Sequence, residues 1–249
     1  MAKIPLNETK ERSCSPYDVV AIVCVILVVP AVLFVVGYVW IYLTGLAPRP
    51  VKSFYAKMLR VVKNGDRWAW SYNRVKGTRC IIGTIPTRDI HLKELVTKEH
   101  VKFLVTLNER WELLERSPPL ASGAPKSLDI ETLHVPTPDY TPPSAKDIDR
   151  AVLWVSKKLE NADPRASVYV HCNAGRGRSA TLMLCLIMAL TGRTCEDAFE
   201  FLMSARKVSS MRGCCGNIRT RHWYAAKAYE ARLKEKNASR LVEVSGLGA

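Results

Sequence analysis

The sequence predicts an α/β fold, with helices flanking a central, mostly parallel sheet, preceded by one N-terminal transmembrane helix. Two observations support this. In the C-terminal three quarters of the chain, short β-like runs alternate with longer helical runs, an order that produces parallel sheets covered by helices. Near the N-terminus, 29 consecutive residues carry no charge. A chain of 249 residues has room for one ordinary domain plus such an appendage.

The uncharged stretch begins at Val19 and ends at Ala47. A bilayer core needs roughly 20 such residues in a helix, so the stretch is long enough to span with some tilt. Tyr38, Trp40 and Tyr42 lie toward its end, as residues of an interfacial aromatic belt do. A cleaved signal peptide would have a shorter apolar core of about 7–15 residues. A helix buried in one small domain would also be shorter. We therefore predict a tail over 1–18 and a single membrane span over 19–47.

Charges on the two sides of the span predict its orientation. Residues 49–67 contain six Lys or Arg against one Asp, whereas three basic and three acidic residues precede the span. The positive-inside rule places the C-terminal part in the cytosol, or in the matrix if the membrane is mitochondrial. Residues 48–74 are interpreted as a basic juxtamembrane linker. This linker either rests on an anionic lipid surface or serves as a plain connection.

The remaining elements follow from hydrophobic periodicity. Between 144 and 161, Ile148, Val152, Val155 and Leu159 fall on one helical face. The run 178–190 is apolar almost all round and predicts the central buried helix. Thr194 is a predicted N-cap. Buried strands are predicted over 80–82, 101–107, 133–135 and 168–171, and further helices over 194–206 and 218–236. Residues 117–129 are predicted to form a surface loop. The whole domain is predicted to extend over 75–236 and to be followed by a tail over 237–249.

Charge and cysteine content narrow the class of protein. There are 37 Lys and Arg against 23 Asp and Glu, a formal net charge of +14. Such a surplus indicates an anionic partner, which could be nucleic acid, acidic lipid or a phosphorylated substrate, or else a surface tuned for solubility. The eight cysteines are mostly scattered and form neither a disulfide framework nor paired zinc-ligand motifs. Cys214 and Cys215 are adjacent, which suits neither role.

Residues 168–181, VYVHCNAGRGRSAT, combine the features of an anion site. A β-like run ends at His171, a loop with two glycines follows, and a buried helix begins at once. Glycines let successive backbone N–H groups turn inward, and the N-terminus of the helix adds positive potential. Arg178 can hold two phosphate oxygens, and Cys172 at the base becomes a nucleophile as its thiolate. The alternatives are that Cys172 only packs in the core, that His171 is a core histidine and that Arg178 is a surface charge. These alternatives would not explain why the three residues occur together with two glycines between a strand and a helix.

HCNAGRGRS resembles the HCxxGxxRS signature of the protein-tyrosine-phosphatase superfamily, in its dual-specificity branch. The resemblance implies that Cys172 attacks phosphorus and forms a phosphocysteine, that Arg178 binds the phosphoryl group, that His171 tunes the thiol, and that Ser179 stabilises the departing thiolate. Backbone amides would hold the equatorial oxygens, at Asn173, Ala174, Gly175, Arg176, Gly177 and Arg178. It implies no metal, no cofactor and no nucleic-acid partner.

The family also uses an aspartic acid on an upstream loop to protonate the leaving group. Residues 136–143 read PTPDYTPP, and Asp139 lies 33 residues before Cys172. That spacing is typical of the branch. Asp129, Asp147 and Asp149 are the competing candidates; the first precedes the strand and the others lie in the next helix. The alternative is that Asp139 is a solvent-exposed loop carboxylate without a catalytic role.

Two stretches, residues 72–89 and 101–115, and one loop residue, Arg176, resemble the phosphatidylglycerophosphate phosphatases of this branch. The sequence departs from that pattern at Asn173, where the family commonly has Lys, and at Arg110, which interrupts an acidic pair. The resemblance implies a phospholipid substrate and, for the membrane, the mitochondrial inner membrane. The alternatives are a dual-specificity phosphatase acting on phosphotyrosine and phosphoserine or phosphothreonine in proteins, and a non-catalytic phosphate-binding adaptor.

Overall fold

The computed structural model describes residues 29–37, 70–208 and 221–246. The chain divides into two compact units, residues 1–58 and 59–249. In the first unit, residues 29–37 are helical. None of the helices in the described ranges combines the length and apolar character that a membrane crossing requires. Most of the predicted span over 19–47, and all of the tail over 1–18, lie outside the described residues.

The second unit is built on a five-stranded sheet. Its strands are β1 (Tyr72–Arg74), β2 (Cys80–Gly83), β3 (Val101–Thr106), β4 (Glu131–His134) and β5 (Ser167–His171), in the order β1-β2-β5-β3-β4. All neighbouring pairs are parallel except β1 and β2, which are antiparallel. The predicted α/β class with a mostly parallel sheet is therefore confirmed, and β5 lies at the centre.

The helices are α1 (Asp89–Glu99), α2 (Arg110–Arg116), α3 (Pro118–Ala121), α4 (Ala124–Ser127), α5 (Ala145–Glu160), α6 (Arg178–Thr191), α7 (Cys195–Ala205) and α8 (Arg221–Gly246). Of these, α6 is buried over most of its length, as its apolar composition predicts. The hydroxyl oxygens of Ser144 and Thr194 accept hydrogen bonds from backbone N–H groups in the first turns of α5 and α7. The predicted N-cap at Thr194 is thus confirmed.

Alternation along the strands divides the core into two layers. Ile82 on β2 and Val105 on β3 pack in the larger layer, which contains α5, α6, α7 and α8. Ile81 and Leu104, one position along, point to the other face and pack with Leu95 of α1. Because successive side chains in a strand point to opposite faces, each apolar strand supplies both layers.

Several boundaries differ from the predicted ones. The linker expected to reach residue 74 ends earlier, because β1 pairs with β2 and Trp70 stacks on His91 at 4.4 Å between ring centroids. The tail expected from residue 237 is helical as far as Gly246. The loop expected over 117–129 contains α3 and α4, whose prolines occupy first-turn positions where the missing N–H costs nothing. Helices α1 and α2 were not predicted.

Candidate active site

The four parallel strands end at one edge of the sheet, at Gly83, Thr106, His134 and His171. Loops that follow the carboxyl ends of parallel strands surround the usual crevice of such folds. Residues 172–177, here called the phosphate loop, follow the central strand β5 and lead directly into α6. The sequence motif is therefore placed at the middle of this edge, at the N-terminus of a 14-residue buried helix.

The phosphate loop packs closely on the end of β2. The backbone N–H of Ile85 donates to the Asn173 carbonyl at 3.2 Å. Gly175 has a φ of 67°, and a Cβ there would lie 2.5 Å from the carbonyl oxygen of Gly83. Such a distance is a severe clash, so a side chain at 175 would displace the loop. Thr181 closes the other end by donating its N–H to the Gly177 carbonyl at 2.9 Å.

Cys172 is buried at the start of the phosphate loop. Its Sγ lies 3.2 Å from the Oγ of Ser179 in the first turn of α6. His171 is also buried, with Nε2 2.9 Å from the hydroxyl of Thr106. Burial lowers the pKa of His171 to about 3, so its imidazole is neutral at physiological pH. The histidine is therefore a neutral hydrogen-bonding partner of Thr106 and adds no positive charge beside Cys172.

Arg178, the first residue of α6, is buried and is held by carboxylates. Its Nη1 donates to Glu112 Oε2 at 2.6 Å, and its Nη2 donates to Glu112 Oε1 at 3.0 Å. The same Nη2 lies 3.0 Å from Asp139 Oδ1, and Nη1 donates to the Thr137 carbonyl at 2.9 Å. Burial opposes the charge, but Asp139 and Glu112 raise the pKa of Arg178 well above its ordinary value. A permanently charged guanidinium therefore faces this site.

Asp139 reaches Arg178 from a tight turn. Thr141 donates its N–H to the Pro138 carbonyl at 3.2 Å, and Tyr140 between them has a φ of 64°. Left-handed backbone at a bulky residue is strained, and such strain concentrates at functional loops. The turn directs the Asp139 carboxylate toward the guanidinium.

The three competing acids form contacts elsewhere. Asp129 pairs with Lys102 on the surface, and Asp149 pairs with Arg232 of α8. Asp147 accepts a hydrogen bond from the Ser144 hydroxyl and pairs with Arg150, within the first turns of α5. Of the four candidates, Asp139 is the one that the structure pairs with Arg178.

Residues 72–223 match the family model described as "Swiss Army Knife protein, DSP-PTPase phosphatase domain". This range covers all five strands and the whole site. The chain belongs to the DSP-PTPase phosphatase family. The predicted membership of the protein-tyrosine-phosphatase superfamily is thereby confirmed.

Relatives within the phosphatase family carry lipid-directed names. An Arabidopsis thaliana protein named phosphatidylglycerophosphate phosphatase PTPMT2 is 38% identical over 129 residues, which are 51% of this chain and 51% of that protein. A Rattus norvegicus protein named phosphatidylglycerophosphatase and protein-tyrosine phosphatase 1 is 31% identical over 57% of this chain and 70% of its own length. The chain thus spans about half the length of the Arabidopsis relative.

A solved structure supports the same family placement. The crystal structure of PTPMT1 aligns with a TM-score of 0.57 and 25% sequence identity, over 68% of this chain and 99% of that one.

The sequence analysis did not identify Glu112. This residue is fully buried, and both of its carboxylate oxygens accept hydrogen bonds from Arg178. Burial alone would raise the pKa of Glu112, but the adjacent guanidinium holds that pKa below its usual range. One signal was present: Glu109 and Glu112 are spaced as a capping box at the start of α2, which the structure contains. A second signal is physical, because a buried arginine requires a carboxylate partner.

Asn173, where the family commonly has lysine, faces the protein interior. Its amide Nδ2 donates to Glu112 Oε1 at 2.6 Å, and its Oδ1 accepts from Asn108 Nδ2 at 2.6 Å. The side chain therefore supports the Glu112–Arg178 pair and does not face a ligand. Arg176, by contrast, is exposed on the loop. Among the residues that the structure describes, no group of three or more His, Cys, Asp or Glu side chains could hold a metal ion.

Replacing Glu112 by glutamine should destabilise the fold and lower kcat/KM together. The variant keeps the shape of the side chain but leaves Arg178 without its buried countercharge, and breaking a buried ion pair costs about 3–5 kcal/mol. Urea denaturation and steady-state kinetics would measure both effects. Asp129→Asn, which breaks only the exposed pair with Lys102, is the matched control and should change neither. Unchanged stability in Glu112→Gln would mean that the pair is dispensable.

Proposed function

We propose that this chain is a membrane-anchored, cysteine-dependent phosphatase that hydrolyses phosphomonoesters through a phosphocysteine intermediate. The observation that carries the proposal is the convergence of three groups at one site. The buried thiol of Cys172 directly follows the central strand, Arg178 begins the helix after the same loop, and the carboxylate of Asp139 pairs with Arg178 at 3.0 Å. These are the nucleophile, anion holder and proton donor that phosphoryl transfer requires.

In the first step, the Cys172 thiolate attacks phosphorus as the bond from phosphorus to the leaving oxygen breaks. Asp139 gives its proton to that oxygen, so the product departs as a neutral alcohol or phenol. Arg178 and the loop N–H groups hold the equatorial oxygens, on which negative charge concentrates. Sulfur and phosphorus are then joined in the intermediate.

In the second step, water attacks phosphorus and Asp139 removes a proton from it, acting as a base. The phosphorus–sulfur bond breaks, and inorganic phosphate is released. Ser179 is placed to donate a hydrogen bond to the departing thiolate, because its Oγ lies 3.2 Å from Cys172 Sγ. The proton on Asp139 is restored for the next cycle.

The proposed substrate is a phospholipid headgroup such as that of phosphatidylglycerophosphate. The names of the Arabidopsis and rat relatives support it. So do the exposed Arg176 within the loop and the formal net charge of +14, both of which suit a polyanionic headgroup. The second candidate is phosphotyrosine and phosphoserine or phosphothreonine in proteins. It is favoured by the rat relative's name, which also includes a protein-tyrosine phosphatase.

A specificity panel tests the substrate proposal. Phosphate release by the full chain would be measured from phosphatidylglycerophosphate in vesicles and from phosphotyrosine and phosphoserine peptides, with Cys172→Ser as the blank. We expect kcat/KM for the lipid to exceed that for every peptide. A higher kcat/KM for a peptide would transfer the proposal to protein substrates. Binding without turnover on all of them would indicate an adaptor.

The anchored topology is a separate part of the proposal. Its support is the uncharged stretch over 19–47 and the excess of basic residues after it, which together suit a single span with the catalytic domain on the cytosolic or matrix side. The mitochondrial inner membrane is the proposed location. Protease protection of a C-terminal tag in intact mitochondria tests it. A tag digested without rupture of the inner membrane would reverse the orientation.

A further inference from the structure

Arg206 directly follows α7 and connects the phosphate loop to β1, an edge strand of the sheet, and to the residue just before it. Its Nη2 donates to the Ala174 carbonyl at 3.0 Å, and its Nε donates to the Gly175 carbonyl at 3.1 Å. On its other side, Nη1 donates to Asn73 Oδ1 at 2.8 Å and Nη2 to the Ser71 hydroxyl at 3.2 Å. One guanidinium thus bridges two loop carbonyls and two residues at the start of the domain.

Holding these carbonyls determines where the loop N–H groups point. In a trans peptide unit, C=O and N–H project in opposite directions. Because the carbonyls of Ala174 and Gly175 are held by Arg206, the N–H groups of Gly175 and Arg176 point to the opposite side of the loop. The Asn173 carbonyl is held in the same way by the N–H of Ile85. The three successive peptide units that begin at Asn173, Ala174 and Gly175 are therefore each held through their carbonyl oxygens.

The approach of Arg206 is also close. A Cβ on Gly175 would lie 3.0 Å from Arg206 Nε, so the glycine leaves room for the guanidinium as well as for the Gly83 carbonyl. The side chain of Arg206 is partly buried, which lowers its pKa, and Arg176 lies nearby and acts in the same direction.

We propose that Arg206 is a positioning residue for the phosphate loop. It orients the anion-binding N–H groups of Gly175 and Arg176, and it adds a positive charge behind a bound oxyanion. This inference rests on the proposed function, because it assumes that the loop binds a phosphoryl group. It concerns neither the nucleophile nor the general acid.

The test measures oxyanion affinity with tungstate as a competitive inhibitor of aryl phosphate hydrolysis. In Arg206→Ala, the inhibition constant for tungstate and the KM should each rise at least about tenfold, which corresponds to about 1.4 kcal/mol. Ethylguanidinium should restore part of the lost affinity by entering the vacated space. Arg206→Met fills that space and should show no rescue. A failure of ethylguanidinium to act on the alanine variant would count against the positioning role.

Arg74 provides a matched control. This arginine on β1 also donates to several groups, at Glu99 and the Ser167 hydroxyl, but does not contact the phosphate loop. Arg74→Ala should keep the wild-type inhibition constant for tungstate. If Arg74→Ala raises this constant as much as Arg206→Ala does, the proposal is overturned, because the effect would then come from a general loss of stability in this part of the domain. If Arg206→Ala does not fold, Asn73→Ala takes its place in the test. We expect this variant to raise the inhibition constant for tungstate by a smaller factor, because it removes only one hydrogen bond to Arg206. A wild-type protein insensitive to tungstate would instead contradict the proposed function.

Discussion

Replacing Cys172 by serine should reduce turnover by at least about 10⁴-fold, as removal of an enzyme's nucleophile does. A serine hydroxyl is far less acidic than a thiol and is not ionised at neutral pH. Substrate binding should survive, because Arg178, Glu112 and the loop backbone are untouched. The measurement is phosphate release from an aryl phosphate, together with substrate binding by the inactive variant. Tight binding without turnover is the expected combination.

A second cysteine serves as the control for this experiment. Cys185 lies inside α6, fully buried, and burial raises the pKa of its thiol well above the ordinary value. It is therefore an unreactive packing residue, and Cys185→Ala should lower stability while leaving kcat/KM of the folded protein close to wild type. Turnover well above background in purified Cys172→Ser would contradict the assignment of the nucleophile.

Replacing Asp139 by asparagine should lower kcat by roughly 10²–10⁴-fold, the usual contribution of general acid catalysis. The loss should depend on the leaving group. A glycerol headgroup is a poor leaving group that needs the proton, whereas an activated aryl phosphate departs nearly unaided and should lose much less. The rates of the wild type and of the variant on both substrates would measure this.

The structure adds an effect on binding that the sequence did not predict. In the structure, the Asp139 carboxylate pairs with Nη2 of Arg178, so an incoming phosphoryl group competes with it. Asp139→Asn should therefore lower KM and the inhibition constant for tungstate. Asp147→Asn is the control and should match wild type. Equal losses of kcat on both substrates would mean that Asp139 only shapes the loop.

Local sequence patterns predicted the parts of this protein that local physics determines. The strand β5, the helix α6 and the loop between them are contiguous, and their alternation, apolar character and glycines are visible in one short stretch. The N-cap at Thr194 is likewise a local signal. These elements could be predicted from the sequence, as could the placement of Cys172 at the end of a strand.

The pairings of the supporting groups could not be predicted, because each pair is formed across the fold. Glu112 lies 66 residues from Arg178, and Arg206 lies 31 residues from Gly175. Nothing near either residue in the sequence specifies its partner; the sheet order brings them together. The strand β1 was missed for a related reason: its residues, YNR, lack an apolar alternation, and its place is set by pairing with β2.

The position of β1 has a consequence for how the protein loses activity on heating. This edge strand pairs with β2 over only three residue pairs, and short edge elements open at a lower free energy than the core. Asn73 on β1 supports Arg206 and, through it, the phosphate loop. Local opening of the edge would therefore release the loop while α6 and the central strands remain intact. Thermal inactivation would then begin below the temperature at which the domain as a whole melts.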